Sequence, residues 1–265
     1  MPEGDVVWYT ARRLHEALAG RPLTVSDFRV PRWATTDLRG REVYDAVSRG
    51  KHLLVRVEGA HGRADGLTVH THLKMEGSWR FRRAPAAAPR DHRVRLVLAN
   101  AEWLAVGQSL GIVELLGTAE EDRAVGHLGP DLLGPDWDPA EAVRRLREQP
   151  DRAVGEALLD QTRLAGIGTV YRAELLFLRG LNPWTQMAKV TDPTTLVDLA
   201  HRLLEANKNH FGQVTTGDRR PGRDRYVYGR QGRPCRRCGT PIKRGAQGAE
   251  PYDRVIYWCP ACQPA

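Results

Sequence analysis

No stretch of the chain approaches the roughly 18 consecutive apolar residues needed to cross a bilayer as a helix, and the N-terminus opens on Glu3 and Asp5 instead of a basic segment followed by an apolar one. Neither a membrane-spanning nor a secreted protein is expected. The reading is a cytoplasmic chain with no membrane partner, unprocessed apart from loss of Met1 ahead of the small Pro2. Cysteine does not occur before Cys235, and there is no internal repeat or long low-complexity tract, which argues against a solenoid. What remains is ordinary globular material: 265 residues, 41% hydrophobic and 27% charged, enough for one large or two modest domains.

Acidic residues are in deficit, 32 against 40 basic ones, for a net charge of +8. The deficit is local. From Gln213 to Arg254 there are eleven basic residues and only four acids, so +7 of the +8 lies in that stretch. Tyr226, Tyr228 and Tyr252 interleave with the arginines, and Tyr257 and Trp258 follow, a mixture suited to a phosphate backbone and exposed bases.

Helical periodicity is confined at first to about Asp5–Leu18, where Asp5 is the expected N-cap and Val6, Val7, Leu14 and Leu18 share a face. From Val43 to about Leu116 the chain runs in short apolar or alternating segments such as His52–Val57, Leu67–His70, Val94–Leu98 and Ile112–Leu116, broken by Gly, Pro and Asn, as in an antiparallel sandwich or barrel. Ala84–Pro89 reads as a surface loop. Gly, Pro and acids then dominate, with turns at Gly129-Pro130 and Gly134-Pro135. Helices follow at about 138–148 and 192–210, each opened by Asp-Pro, with two more at Val154–Asp160 and Val170–Leu178. The division is therefore residues 1–119, a linker 120–137, a helical segment 138–224 and a C-terminal segment 225–265.

The four cysteines stand as Cys235-Arg-Arg-Cys238 and Cys259-Pro-Ala-Cys262. Each pair can turn tightly enough to present two thiolates to one ion, so a single structural Zn2+ is expected, with a pair of disulfides as the other reading. A closed four-thiolate site has no position for water, so catalysis must come from elsewhere.

Leu164-Ala-Gly-Ile-Gly168-Thr169-Val170-Tyr171 places a glycine turn at a helix start, where backbone can approach a phosphate. The chain also begins Met-Pro-Glu-Gly, and it carries Gly50-Lys51-His52-Leu53-Leu54 and His72-Leu73-Lys74-Met75-Glu76-Gly77 ahead of a basic four-cysteine finger. Together, and in this order, these motifs resemble the formamidopyrimidine-DNA glycosylase and endonuclease VIII family over essentially the whole length. The resemblance implies an α+β multidomain fold: an N-terminal two-layer β-sandwich with flanking helices, a helix-two-turn-helix domain and a C-terminal zinc finger. It further implies a bifunctional glycosylase and abasic-site lyase of base excision repair acting on damaged double-stranded DNA, a monomer associated with the nucleoid.

On that resemblance Pro2 is the nucleophile. An α-amine has a reference pKa of about 8, so a useful fraction is free near neutrality. Attack at the sugar C1′ would expel the base and leave an iminium ion, from which β- and δ-elimination follow. Glu3 matches the general acid-base group, Lys51 a phosphate-binding residue that assists the chemistry, and Arg254 the finger arginine that clasps phosphates around the flipped nucleotide. Met75 matches the wedge that fills the vacated stack, His72 a phosphate contact, and Gly168 and Thr169 the DNA-contacting turn.

Three departures stand out. In Gly107-Gln-Ser-Leu110-Gly111 the arginine used by the formamidopyrimidine branch is missing and Leu110 is a smaller wedge; the segment Thr216–Tyr226 is short; and Thr169 stands where the family has asparagine. The first two, with the Met-Pro-Glu-Gly opening, favour oxidised pyrimidines. The competing readings are an enzyme specific for 8-oxoguanine and formamidopyrimidines, and a non-catalytic zinc-finger DNA-binding protein, which would leave Pro2-Glu3 unexplained.

Overall fold

The computed structural model describes residues 2–210 and 212–265 and divides into two compact units, Met1–His127 and Leu128–Ala265. Met1, expected to be removed, lies outside the described residues.

The first unit opens with α1 (Gly4–Leu18) and continues through β1 (Arg21–Pro22), β2 (Val25–Phe28), β3 (Glu42–Arg49), β4 (His52–Gly59), β5 (Gly62–His72), β6 (Ser78–Arg83), β7 (Val94–Ala99), β8 (Trp103–Gln108), β9 (Ile112–Gly117) and the single turn α2 (Asp122–Val125). The strands form two antiparallel sheets, in the orders β1-β3-β4-β5-β9 and β2-β7-β8-β6. Alternation along β4 sends Leu53, Val55 and Val57 into the core, where they meet Leu96, Leu98 and Ala105 of the second sheet. The opposite face of β4 carries His52 and Arg56, paired across to His72 and Thr68 of β5.

Helix α1 closes this core with Val7, Ala11, Leu14 and Leu18, spaced at three and four residues and at most 3% exposed. Its start differs from the sequence expectation. Glu3, not Asp5, occupies the N-cap position, with extended backbone (φ −121°, ψ −174°), and Asp5 sits in the first turn. Gly4 and Asp5 are both buried, so packing draws the helix two residues further toward the N-terminus than local cap preference alone would. Because α2 belongs to the first unit, part of the stretch read as a linker is folded with the strands.

The second unit contains α3 (Pro139–Arg147), α4 (Val154–Ala157), α5 (Thr169–Arg179), α6 (Pro193–Asn207) and a hairpin of β10 (Lys243–Gln247) and β11 (Arg254–Trp258). The Asp-Pro starts behave as expected: Asp138 accepts from the amides of Ala140 and Glu141, and Asp192 from that of Thr195. α4 is shorter than its predicted span, and α6 ends at Asn207, short of the expected His210. α5 is buried on every side from Thr169 to Phe177. Tyr171 and Leu175 face the helical core with Leu158, Ile167 and Leu204, while Ala173 and Phe177 face the C-terminal core with Val227, Ile242 and Ile256.

Candidate functional site

Glu3 is fully buried at the start of α1, its carbonyl accepting from the Val7 amide at 3.0 Å, and Pro2 immediately before it is half-buried. Lys51 occupies the turn between β3 and β4, following Gly50, whose φ of 56° is the left-handed conformation that glycine adopts without steric cost. Burial pulls the Lys51 ammonium down to about 8, against the Glu3 carboxylate, which pulls it upward. The fold therefore brings Glu3 and Lys51 into one electrostatic environment although they are far apart in the sequence.

Beside them lies an array that sequence reading missed apart from His72. Sheet register sets His52 opposite His72 and Leu54 opposite His70, which gathers three histidines on one face. His70, 2% exposed, has Nδ1 at 3.0 Å from the Glu114 carboxylate and Nε2 at 2.8 Å from His52 Nδ1. Since a carboxylate only accepts, Nδ1 of His70 carries a hydrogen, and one of the two nitrogens in the His52 Nδ1–His70 Nε2 contact carries the other. The His52 ring meets His72 edge to face at 4.8 Å and His127 at 6.2 Å. His72 Nδ1 accepts from the Lys74 amide at 2.9 Å, so its uncharged ring keeps a hydrogen on Nε2 as a donor. Burial, reinforced by neighbouring histidines and Lys74, lowers His52 to about 3; burial, then Lys74 and Lys51, lowers His72 to about 4. Near neutrality His72 is thus an uncharged hydrogen-bond donor.

β5 ends at His72, so Met75 lies in the turn that follows and not on a strand; it is 62% exposed. That turn is tight: the Gly77 amide donates to Leu73 O at 2.8 Å, and a Cβ on Gly77 would stand 2.4 Å from the same oxygen. Leu110 lies on the inner side of the chain in this structure. Its side chain is 7% exposed and packed in the sandwich core, and its Cδ1 would lie 2.6 Å from a Cβ on Gly107. Next to it the backbone of Gly111 passes close to Lys74, where a Cβ would stand 2.2 Å from Lys74 Cγ.

In the second unit Gly168 is the N-cap of α5 and Thr169 its first residue, 4% exposed, at the positive end of the helix dipole. Arg254 opens β11 with an exposed side chain, its Nη1 donating to Tyr252 O and Asp253 O at 2.9 Å each. The four cysteine sulfurs lie within 4.8 Å of one another, with separations of 3.9 Å (Cys235–Cys262), 3.5 Å (Cys238–Cys259) and 3.4 Å (Cys238–Cys262). A tetrahedral ion with Zn–S of about 2.3 Å sets sulfurs about 3.8 Å apart, whereas a disulfide needs about 2.05 Å. The arrangement fits one thiolate-bound metal ion and not a pair of disulfides.

Comparison with known proteins agrees with this geometry. The family model described as the formamidopyrimidine-DNA glycosylase N-terminal domain matches residues 1–109, and that of the formamidopyrimidine-DNA glycosylase H2TH domain matches residues 128–207. A probable endonuclease 8 2 of Streptomyces coelicolor is 55% identical, covering 99% of this chain and 94% of that protein. A DNA-(apurinic or apyrimidinic site) lyase Nei2 of Mycolicibacterium smegmatis is 47% identical over 100% of both chains, and an endonuclease 8 of Escherichia coli is 31% identical over 99% of this chain and 100% of its own. The fold matches that of Lactococcus lactis Fpg in complex with abasic-site DNA at a TM-score of 0.82, with 23% identity and full coverage of both chains. With both family segments present and relatives alike over nearly their whole length, the chain belongs to the formamidopyrimidine-DNA glycosylase and endonuclease VIII family, on its endonuclease VIII branch.

Proposed function

We propose that the chain is a bifunctional DNA glycosylase and abasic-site lyase of base excision repair, acting on oxidised bases in double-stranded DNA with pyrimidines favoured. The observation that carries this reading is the buried Glu3 directly after Pro2 and in the same electrostatic environment as Lys51. Once Met1 is removed, the secondary amine of Pro2 attacks C1′ of the damaged nucleotide. The C1′–N bond breaks and its electron pair leaves with the base, which takes up a proton. Ring opening, assisted by protonation of the ring oxygen by Glu3, gives an iminium between Pro2 and C1′. That cation accepts the electron pair released when a C2′ proton is removed, giving an enamine that forms the C2′–C3′ double bond as the 3′ phosphate leaves with the C3′–O pair; a second elimination frees the 5′ phosphate.

Lys51 and the Nε2–H of His72 suit phosphate oxygens near this centre, as do the Gly168–Thr169 turn and Arg254 elsewhere on the strand. Met75, exposed on its turn, suits the gap left by the flipped nucleotide. One Zn2+ held by Cys235, Cys238, Cys259 and Cys262 would stiffen the finger without joining the reaction. Preference for pyrimidine lesions follows from the missing arginine between Gly107 and Gly111 and the short Thr216–Tyr226 segment. The working division is a catalytic segment 1–119, a connection 120–137, the helix-two-turn-helix segment 138–224 and the finger 225–265, in a monomer that works at the nucleoid. Among the described residues no helix is long and apolar enough to cross a membrane.

Borohydride trapping on a labelled duplex containing 5-hydroxyuracil tests the reading. A covalent adduct that disappears in Pro2→Gly, with strand cleavage lost in Glu3→Gln, is the expected result. Zinc-dependent binding without an adduct on this or an abasic duplex would establish a non-catalytic DNA-binding protein instead. Faster release of 8-oxoguanine than of 5-hydroxyuracil or thymine glycol would overturn the pyrimidine preference.

A further inference from the structure

Helix α5 buries two charged side chains completely, Arg172 and Glu174, each 0% exposed. Arg172 reaches across to the root of the finger hairpin. Its Nη2 donates to Val255 O at 2.6 Å and to Arg254 O at 3.4 Å, and its Nη1 to Gln247 Oε1 at 3.3 Å and Gly155 O at 3.4 Å. Gln247, 3% exposed, completes the brace by donating to Pro183 O at 2.7 Å. Space around it is closed, since a Cβ on Gly155 would stand 2.3 Å from Gln247 Oε1.

A buried guanidinium is an expensive way to join two elements, because desolvating the charge offsets much of what its hydrogen bonds contribute. An apolar side chain would hold the same core together without that cost. What the planar fork adds is direction. The two carbonyls taken by Nη2 belong to the first two residues of β11, the point from which the Arg254 side chain departs. A lone two-stranded hairpin is marginal in water and would not hold that point by itself. α5 begins at Gly168–Thr169, so one rigid helix sets the spacing between that turn and Arg254.

We infer that Arg172 is a positioning residue for the lyase reaction, acting through Arg254 by fixing the β11 backbone from which the phosphate-clasping side chain extends. This inference rests on the reading of Arg254 as a phosphate contact. A double-mutant cycle separates the two. Arg172→Lys keeps a buried cation but loses the fork; Arg254→Ala removes the clasp; kcat/KM for cleavage of an abasic-site duplex is measured for both and for the double variant, alongside zinc content and thermal midpoint. Arg172→Lys is expected to lower kcat/KM about tenfold in the wild-type background and less than twofold in the Arg254→Ala background, since misplacement of a clasp that is already gone costs nothing further. The slope of binding against salt should fall by about one in each single variant and no further in the double.

Equal losses from Arg172→Lys in both backgrounds would overturn the inference while leaving Arg254 a phosphate contact. An Arg254→Ala protein as active as wild type would overturn the reading of Arg254 and the inference with it. If Arg172→Lys fails to retain zinc, Gln247→Met repeats the cycle: it keeps Arg172 and removes one of its anchors, and the same background dependence is expected.

Discussion

Replacing Glu174 by Gln should release the segment that leads into the finger. The carboxylate is fully buried and takes the amides of Val227 and Tyr228 on Oε1 and that of Tyr226 on Oε2, each at 2.8 Å, with the Thr215 hydroxyl donating to Oε2 as well. An amide side chain has one accepting oxygen. If that oxygen keeps Val227 and Tyr228, the new NH2 group faces the Tyr226 N–H, donor against donor; the Thr215 hydroxyl can rotate to accept, but the backbone amide cannot. Loss of one partner to a buried amide costs about 1–3 kcal/mol, and two charge-assisted bonds become neutral ones, each weaker by about 1 kcal/mol. The sum is about 3–5 kcal/mol, which for a unit of this size lowers the thermal midpoint by roughly 6–20 °C. Calorimetry gives the midpoint. Trypsin gives the local effect, because Arg219 and Arg223 are exposed in the segment that Glu174 ties down and should be cut many times faster in the variant. A midpoint within 2 °C of wild type, with unchanged cleavage at these arginines, would refute the account of Glu174 as the anchor.

Three further outcomes are expected. His52 and His72 are depressed from 6.5 to about 3 and about 4, so the folded state binds fewer protons than the unfolded one between these values; stability should be complete above about pH 6.5 and fall with pH below it, and His52→Gln should make that fall shallower in urea titrations from pH 7 to pH 4. Metal analysis should find one zinc per chain, and its removal by a chelator should abolish duplex binding while leaving the cooperative melting of the first unit; binding unaffected by complete zinc loss would contradict a structural role for the ion. Met75→Ala and Leu110→Ala should separate cleanly: the first should leave stability within about 0.5 kcal/mol yet slow base excision from duplex DNA, whereas the second should cost about 2–3 kcal/mol by opening a cavity, with denaturant melts and single-turnover excision rates as the readouts.

The parts of the proposed site that are legible in the sequence are those whose chemistry is local. Cys-x-x-C pairs, an Asp-Pro helix start and a glycine turn before a helix each place their functional groups within a few residues, so spacing alone defines them. Pro2 can be singled out because the role proposed for it needs a terminal amine, which only chain position confers. Asp5 misled because cap preference is worth about 1 kcal/mol, a local bias that does not by itself fix where α1 begins. The burial of Leu110 was not legible, because an apolar residue in a loop reads the same whether it faces solvent or turns into the core.

What the sequence determined by itself was the inventory: a β-rich half and a helical half, a four-cysteine cluster, a basic aromatic C-terminal segment, and a proline at position 2 beside a carboxylate. The tertiary structure decided which of these groups meet. His52, His70 and Glu114 form a hydrogen-bonded chain only through the registers of β4, β5 and β9, and Lys51 feels Glu3 only because α1 packs on the sheet that carries its turn. Arg172 and Glu174 look like two ordinary charges on a helix until α5 is buried on all sides, and then each must find its partners in chain remote in sequence. Local chemistry follows from neighbours along the chain; charge burial, tautomers and pKa shifts follow from neighbours in space, which come together only when the core closes.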